Sequence, residues 1–363
     1  MKRIGLTTGK VKKIVNIILL SLNLLAVLSL LVSYISVFVA PDKWWFPSLF
    51  GLGYPFLLLV NISFILLWLI INPRYMYVSL VAILLGFGFL GKYFQFVGEK
   101  VEQGDIKVLS YNVRHFAGNG LDDQKETANE IKEFLSSQDA DIICLQEVRL
   151  RKNSIFNLAQ TVEELDFIKH YQYARSSTTF GSVTMTRYPI ISMSEIRFEN
   201  SRNISIYTDV LIGEDTVRIF NIHLQSYQID PARYAIIDSP EAPQKFKLSE
   251  VKEVKTKFID ALKLRAEQVR EIRKYIKESP YHVILCGDFN DPPASFSYRK
   301  LRKGLNDAFV DSGSGVGRTY IGKLPSLRID YILHSRGFLS YNFQTIEYRK
   351  SDHLPISCEL VKK

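Results

Sequence analysis

Residues 283–293 read VILCGDFNDPP. Four consecutive apolar residues mark a buried strand. Two prolines at 292 and 293 stop it. Between them lie Gly287, Asp288, Phe289 and Asn290, a combination that a simple turn seldom needs. Five other segments repeat the pattern of an apolar run ending in polar side chains: LSYNVRHF (109–116), DIICLQEV (141–148), IFNIHLQS (219–226), LRIDYILHS (327–335) and KSDHLPI (350–356). A buried strand has no structural need to end in Asn, Glu, His or Asp. Carboxylates, amides and imidazoles gathered at strand ends are what a hard divalent cation and a phosphate require. Carboxylate and amide oxygens suit Mg²⁺. Imidazole and amide donors hold phosphoryl oxygens and offset charge in a transition state.

Around these segments the pattern alternates between strand and helix. Strands are expected at Ile106 to Tyr111, Asp141 to Gln146, Ser182 to Thr186, Ile204 to Leu211, Val217 to His223, His282 to Cys286, Ile329 to Leu333 and Pro355 to Leu360. Ala128, Ile131, Phe134 and Leu135 recur at helical spacing, and Lys263 to Lys277 reads as a charged amphipathic helix. Mixed strands and helices over this length predict one α/β domain. Residues 225–261 read as an inserted polar loop at a substrate rim, with a helix possible over Leu248 to Leu262. Cys144, Cys286 and Cys358 each sit in an apolar run. Their odd number and lack of metal-ligand spacing predict buried packing thiols.

The six segments, in this order, resemble the endonuclease/exonuclease/phosphatase superfamily of metal-dependent phosphoesterases. The resemblance runs from about Lys107 to Leu360, and GSVTMTRYPI (181–190) adds to it. The family includes pancreatic-type deoxyribonucleases, abasic-site endonucleases, inositol-polyphosphate 5-phosphatases and neutral sphingomyelinases. It implies a four-layer α/β sandwich of two face-to-face mixed sheets flanked by helices. It implies Mg²⁺, with Mn²⁺ as a substitute, held by Glu147 with Asn112 beside it and Asp352 supporting the metal side. It implies that Asp288 orients or deprotonates the attacking water and that Asn290 and His223 contact the phosphate. His353 contacts a phosphate oxygen and acts as base or acid, with its tautomer fixed by Asp330. Whether Asp288 or His353 is the base stays open. Arg149, in QEVR, resembles the arginine with which pancreatic-type deoxyribonucleases touch DNA. Arg151 and Lys152 extend a basic rim beside it.

The first hundred residues differ in kind. Apolar runs cover 14–39, 50–71 and 75–97, each long enough to cross a bilayer as a helix, with Trp44 and Trp45 placed as interfacial anchors. The sequence thus predicts an anchor of three transmembrane helices over 1–97, a linker over 98–106 and a catalytic domain over 107–363. The net charge of +9 is concentrated in this anchor: residues 1–97 hold eight basic residues against the single acidic Asp42, leaving +2 for the remainder. A near-neutral catalytic domain argues against strong non-specific nucleic-acid binding. Five basic residues before the first run predict a cytoplasmic N-terminus. Three crossings then place the catalytic domain outside the cytoplasm, on a multi-pass protein of the cell membrane. The expected partners are the bilayer and a phosphoester substrate, and no protein partner is readable. Tethering favours a lipid head group as substrate. An extracytoplasmic nuclease is the alternative, and a catalytically inactive, membrane-tethered binding protein is the third reading.

Overall fold

The computed structural model describes residues 2–101, 103–118, 123–149, 155–175, 180–227, 248–322 and 328–363, with the backbone alone for 2–9 and 248–251. The chain divides into two compact units, Met1–Leu90 with Ala294–Phe296, and Gly91–Pro293 with Ser297–Lys363.

The first unit is helical: α1 (Lys2–Ser36), α2 (Phe46–Leu52), α3 (Tyr54–Ile71), α4 (Met76–Leu85) and α5 (Phe87–Leu90). Among the described residues, two stretches are long and apolar enough to cross a membrane, Lys10–Ser36 and Tyr54–Ile71. The third expected span, 75–97, is not a span. Helix α4 has 10 residues, a rise of about 15 Å, or roughly half a hydrocarbon core. It stops at Gly86, where a Cβ would lie 2.0 Å from the Tyr34 ring. Close packing of Tyr34 therefore requires glycine there and interrupts an otherwise apolar run. The count of three crossings that placed the catalytic domain outside the cytoplasm loses its basis with that span. Helix α4 is held by side-chain hydrogen bonds instead. Asn23 Nδ2 donates to Ser79 Oγ (2.5 Å), Ser79 Oγ to Asn61 Oδ1 (3.0 Å) and Trp68 Nε1 to Asn23 Oδ1 (2.9 Å). All four side chains are fully buried.

The second unit contains two six-stranded sheets. Its strands are β1 (Phe94–Gln95), β2 (Ile106–Asn112), β3 (Ile142–Arg149), β4 (His170–Arg175), β5 (Phe180–Thr186), β6 (Ile190–Arg197), β7 (Ile204–Ile212), β8 (Asp215–His223), β9 (His282–Asp288), β10 (Leu305–Asp307), β11 (Gly315–Val316), β12 (Asp330–Ser335), β13 (Phe338–Thr345) and β14 (Ile356–Lys362). One sheet runs β13-β14-β2-β3-β5-β4 and the other β10-β12-β9-β8-β7-β6, while β1 pairs with β11. Both sheets are mixed: β2–β3 and β8–β9 are parallel and the other pairs antiparallel. A parallel pair needs a crossover. Helix α6 (Gln124–Gln138) lies between β2 and β3 in sequence, and the long helix Leu248–Glu278 between β8 and β9.

Apolar side chains of both sheets interdigitate in one core. Val108, Ile142, Cys144 and Ile356 of one sheet meet Val210, Ile219, Ile284, Cys286 and Ile332 of the other. The three cysteines are free and buried, as the sequence predicts. On the outer face of the first sheet, α6 packs Ala128, Ile131, Phe134 and Leu135 against Leu109, Ile143 and Leu145. On the second sheet, the Tyr275 ring of the long helix packs at a tilt on Tyr207 of β7, 5.8 Å between centroids. The result is two mixed sheets flanked by helices. The two helical stretches expected over Leu248 to Leu262 and Lys263 to Lys277 are one continuous helix of 31 residues. Of the expected insertion over 225–261, residues 228–247 lie outside the described residues.

Candidate active site

Strand register builds one half of the site. His223 of β8 is the partner of Asp288 of β9, and Asp288 in turn faces Asp330 of β12. Three ionisable side chains thus stand in a row across three neighbouring strands. Gly287 makes the row possible: its φ is 135°, and a Cβ there would lie 1.9 Å from the Ile222 carbonyl oxygen. Beyond β9 the chain turns at Asn290 (φ 51°), a residue type that tolerates the left-handed region. Asn290 N donates to Asp288 Oδ1 (2.7 Å), and its Nδ2 to Asp288 Oδ2 (3.1 Å) and Leu224 O (3.0 Å).

The other sheet supplies the second half. Asn112 and Gln146 end the parallel β2–β3 pairing. A β-bulge then shifts the β3–β5 register between Leu145 and Val148 and puts Glu147 at φ 55°. Bulges re-aim side chains, and this one turns Glu147 toward the site. Asn112 Nδ2 joins the halves, donating to Asp288 Oδ2 (3.0 Å) and Glu147 Oε1 (3.3 Å). Asn112 Oδ1 accepts from Arg114 N (3.0 Å).

His353 closes the site. Its Nδ1 lies 2.9 Å from Asp330 Oδ2, and its Nε2 3.7 Å from Asp288 Oδ2. A backbone bridge to Tyr320 and the bond from Ser351 Oγ to Asn112 O (2.8 Å) fix the loop that carries it. Ligand atoms of Asp288, Asp330 and His353 all lie within 4.8 Å of one another, and all three residues are buried.

The charges are strongly perturbed. Burial raises Asp288 to about 7, helped by Asp330 and opposed by His353 and the Asn290 and Asn112 hydrogen bonds. Burial opposes protonation of His353, but Asp330 and Asp288 hold it well above the usual imidazole range. Burial would also raise Glu147. The His115 hydrogen bond and the charges of His223, His115 and His353 outweigh it and keep this carboxyl far below its usual range. Burial pushes His223 down. Its buried Nε2 lacks a well-formed hydrogen bond and lies 3.3 Å from Glu147 Oε1. An ionised carboxylate beside an unsatisfied imidazole nitrogen is a donor set that fits a divalent cation.

Eight of the residues expected from the sequence therefore fall in one region: Asn112, Glu147, His223, Asp288, Asn290, Asp330 and His353 in direct contact, with Asp352 at the side. Asp352 pairs with Arg114 Nε at 3.3 Å. Arg149 Nη1 donates to Gln124 Oε1 (2.6 Å). Arg151 and Lys152 lie outside the described residues.

Several participants escape the sequence reading. His115 contacts Glu147 twice, through Nε2 to Oε2 (3.0 Å) and Nδ1 to the carbonyl O (3.2 Å). It sits in a left-handed turn, with Arg114, His115 and Phe116 at φ 44°, 55° and 61°. Such non-glycine conformations cost about 1–3 kcal/mol each and concentrate at functional sites. Gln146 and Asn221 bridge the sheets beneath the site, Nε2 to Oδ1 at 2.8 Å. Arg265 of the long helix, fully buried, donates to the Asn290 carbonyl and pairs with Asp291. His115, Gln146 and Asn221 lie inside the segments that drew attention, but their side chains count only once the bulge and register are known.

Two mixed sheets with carboxylates, amides and imidazoles at their apposed strand ends define an architecture built for phosphoester chemistry. The family model described as "Endonuclease/Exonuclease/phosphatase family" matches residues 109–353, and the chain belongs to that family. A second model, "Domain of unknown function (DUF8431)", matches residues 14–93. Among solved structures, the human Nocturnin catalytic domain with bound sulfate is 17% identical, with 72% of this chain and 97% of that one covered and a TM-score of 0.50. This chain is also similar to a Bacteroides thetaiotaomicron mannosyl-6-phosphatase at 18% identity, covering 70% and 99% of the two chains with a TM-score of 0.49. A family protein from Leptotrichia buccalis gives 15% identity, 70% and 99% coverage and a TM-score of 0.49. No curated protein sequence matches the chain.

Proposed function

We propose that this chain is a membrane-tethered, divalent-cation-dependent phosphoesterase acting on phosphoesters presented at a bilayer surface. One observation carries the reading: Asn112 of one sheet joins Glu147 of the same sheet to Asp288 of the other, at 3.3 and 3.0 Å, and Asp288 stands beside Asp330 and His353. Glu147 would hold the cation, Mg²⁺ with Mn²⁺ as a substitute, while Asn112 aligns the carboxylate and Asp352 supports that side through Arg114. A divalent cation held by these residues would supply charge stabilisation to a phosphoryl oxygen. Asp288, raised to about 7, is matched to accept a proton from water near neutral pH. His353, held protonated by Asp330, is matched to donate to a phosphate oxygen or the leaving alkoxide. Two acid–base groups with environments that separate their roles are the usual arrangement for such chemistry. Asn290 and His223 line the phosphate side.

Support for a lipid substrate comes from the chain itself. The catalytic unit begins at Gly91, directly after the apolar helices. Just after that boundary in sequence, Phe96 and Val97 are 86% and 85% exposed, apolar side chains available to lipid or a partner. Tethering raises the effective concentration of head groups. The near-neutral charge of the residues after 97, +2, weighs against strong non-specific nucleic-acid binding. Full-length protein in vesicles should be tested at matched salt on phosphatidyl lipids, a sphingomyelin-like lipid, plasmid DNA, RNA and bis-p-nitrophenyl phosphate. Turnover of lipid above nucleic acid is expected. Turnover of DNA or RNA alone would overturn the lipid assignment, and inertness toward all five would remove the enzyme.

A further inference from the structure

We propose that Lys92, Arg299 and Arg302, gathered on the buried Arg328–Asp307 pair, form a binding site for the phosphate of an anionic lipid, which docks this part of the catalytic unit on the bilayer surface. This rests on the reading of the chain as membrane-tethered and is independent of the roles given to Glu147 and Asp288.

Positive charge accumulates here around one buried carboxylate. Asp307 ends β10 and is fully buried. Arg328 donates to it twice, Nη1 to Oδ1 at 3.0 Å and Nη2 to Oδ2 at 2.8 Å. The Tyr298 hydroxyl donates to Oδ2 at 2.6 Å, and Phe309 N to Oδ1 at 3.1 Å. The single negative charge is thus offset by Arg328. Arg302 lies against the same assembly: its Cζ stands 5.8 Å from the centroid of the Tyr298 ring, and that of Arg328 5.5 Å from it. The buried Arg302 Nε finds no acceptor among the described residues. Arg299 precedes Arg302 by three positions on the short helix Phe296–Arg302, a spacing that makes the two side chains neighbours. Lys92 feels the surplus. Burial first, then Arg302, with Arg328 and Arg299 adding and Asp307 opposing, push its ammonium down to about 8. Gathered cations repel one another. A phosphate, with charge and several acceptor oxygens, offsets that repulsion and bonds strongly to guanidinium groups.

Exposed apolar side chains adjoin the cluster. The β1–β11 ribbon runs beside Arg328: a Cβ at Gly317 would lie 2.7 Å from Arg328 Cδ, and Gly317 N donates to Tyr93 O at 3.3 Å, next in the chain to Lys92. Phe94 is the partner of Val316 in that ribbon, and directly paired residues share one face. The Phe96 ring meets the Phe94 ring edge-on at 4.9 Å. Val316 is 69% exposed, and Phe96 and Val97 are more so. A soluble anion would engage the cations and leave these side chains in water. A lipid engages both, because apolar side chains enter the acyl boundary while Lys and Arg meet the head-group phosphates. The order of the chain favours the lipid as well: Phe94 follows Leu90, the end of the apolar helices, by four positions.

The test uses the full-length protein in lipid nanodiscs, with a bimane fluorophore on Val97→Cys. Cys144, Cys286 and Cys358 are buried, so the new thiol takes the label. Emission should shift to the blue as phosphatidylglycerol replaces phosphatidylcholine, and about 0.5 M NaCl should diminish the shift. Arg299→Gln/Arg302→Gln should lower the apparent affinity for phosphatidylglycerol about tenfold or more and keep wild-type turnover of bis-p-nitrophenyl phosphate. Arg328 is left intact, because its loss would strand buried Asp307. Equal emission in discs with and without phosphatidylglycerol overturns the proposal, and this comparison needs no variant. An undiminished shift in the double variant overturns it too. The same shift produced by inorganic phosphate in phosphatidylcholine discs overturns the lipid in favour of a soluble anion. Reduced turnover in the double variant puts the two arginines on the substrate path and likewise overturns it. The fluorescence needs no turnover, so failure of the catalytic reading and failure of this one are seen separately.

Discussion

Asp288 and Asp330 face each other across the antiparallel β9–β12 pair, and His353 reaches both, at 3.7 Å through Nε2 and 2.9 Å through Nδ1. Like charges directly opposite on neighbouring strands are destabilising. Here the His353 imidazole joins them, and two carboxyl groups and an imidazole share one buried cluster.

The pH dependence of stability follows from that cluster. His353 is raised well above its usual 6.5 by Asp330 and Asp288, against the effect of burial. A raised folded-state value means that the native state binds the proton more tightly. The contribution is therefore complete below about pH 6.5 and is lost as pH rises through the folded value. In EDTA, the denaturation midpoint of the detergent-solubilised protein should fall from pH 6 to pH 9. Asp330→Asn should flatten this decline, and an unchanged slope in that variant would sink the account.

Cation dependence gives a second prediction. EDTA should abolish phosphoester hydrolysis, and added Mn²⁺ or Mg²⁺ should restore it. Glu147→Gln and His353→Gln should each lower turnover of bis-p-nitrophenyl phosphate by roughly 10²–10⁴-fold. Circular dichroism should show both variants folded. Wild-type rates in either one would remove that residue from the mechanism.

The amide bridge between the sheets is the third. Asn221 Nδ2 donates to Leu145 O (3.1 Å) and Val183 O (2.8 Å), and its Oδ1 accepts from Gln146 Nε2 (2.8 Å). Asn221→Leu strands buried partners at a cost of about 1–3 kcal/mol for each group left unsatisfied. Because Gln146 and Asn221 share a bond, Gln146→Leu/Asn221→Leu should lose less than the sum of the single losses, by about 0.5–3 kcal/mol. Urea denaturation of the four proteins measures this, and strict additivity would contradict the bridge.

The helical unit supplies the fourth. Trp68 Nε1 donates to Asn23 Oδ1 at 2.9 Å, and Asn23 Nδ2 donates to Ser79 of α4. Interhelical hydrogen bonds in apolar surroundings contribute about 0.6–2 kcal/mol. Asn23→Leu should free the Trp68 indole, shift its fluorescence and make α4 more accessible to cysteine labelling at an Ala82→Cys reporter. Identical spectra and labelling rates would count against the network.

Much of this was legible beforehand. Strands ending at Asn112, His223 and Asp288 announce themselves, because apolar runs that close on polar groups break the ordinary pattern. Edge strand β6 (Ile190–Arg197) was not, because most of its residues are at least partly exposed and carry little alternation. The third apolar run misled for the opposite reason: hydropathy counts apolar atoms, whereas the end of α4 depends on Tyr34 packing against Gly86.

Composition and strand-end motifs, read alone, determined the family, the α/β class and most of the ionisable groups, since each is a property of local residue order. Only the tertiary structure decided that His115 meets Glu147, that Asp352 is taken by Arg114, and that Gln146 and Asn221 tie the sheets together. Those pairings depend on a one-residue bulge, left-handed turns and register between distant strands, and these are settled by the packing of two sheets against each other.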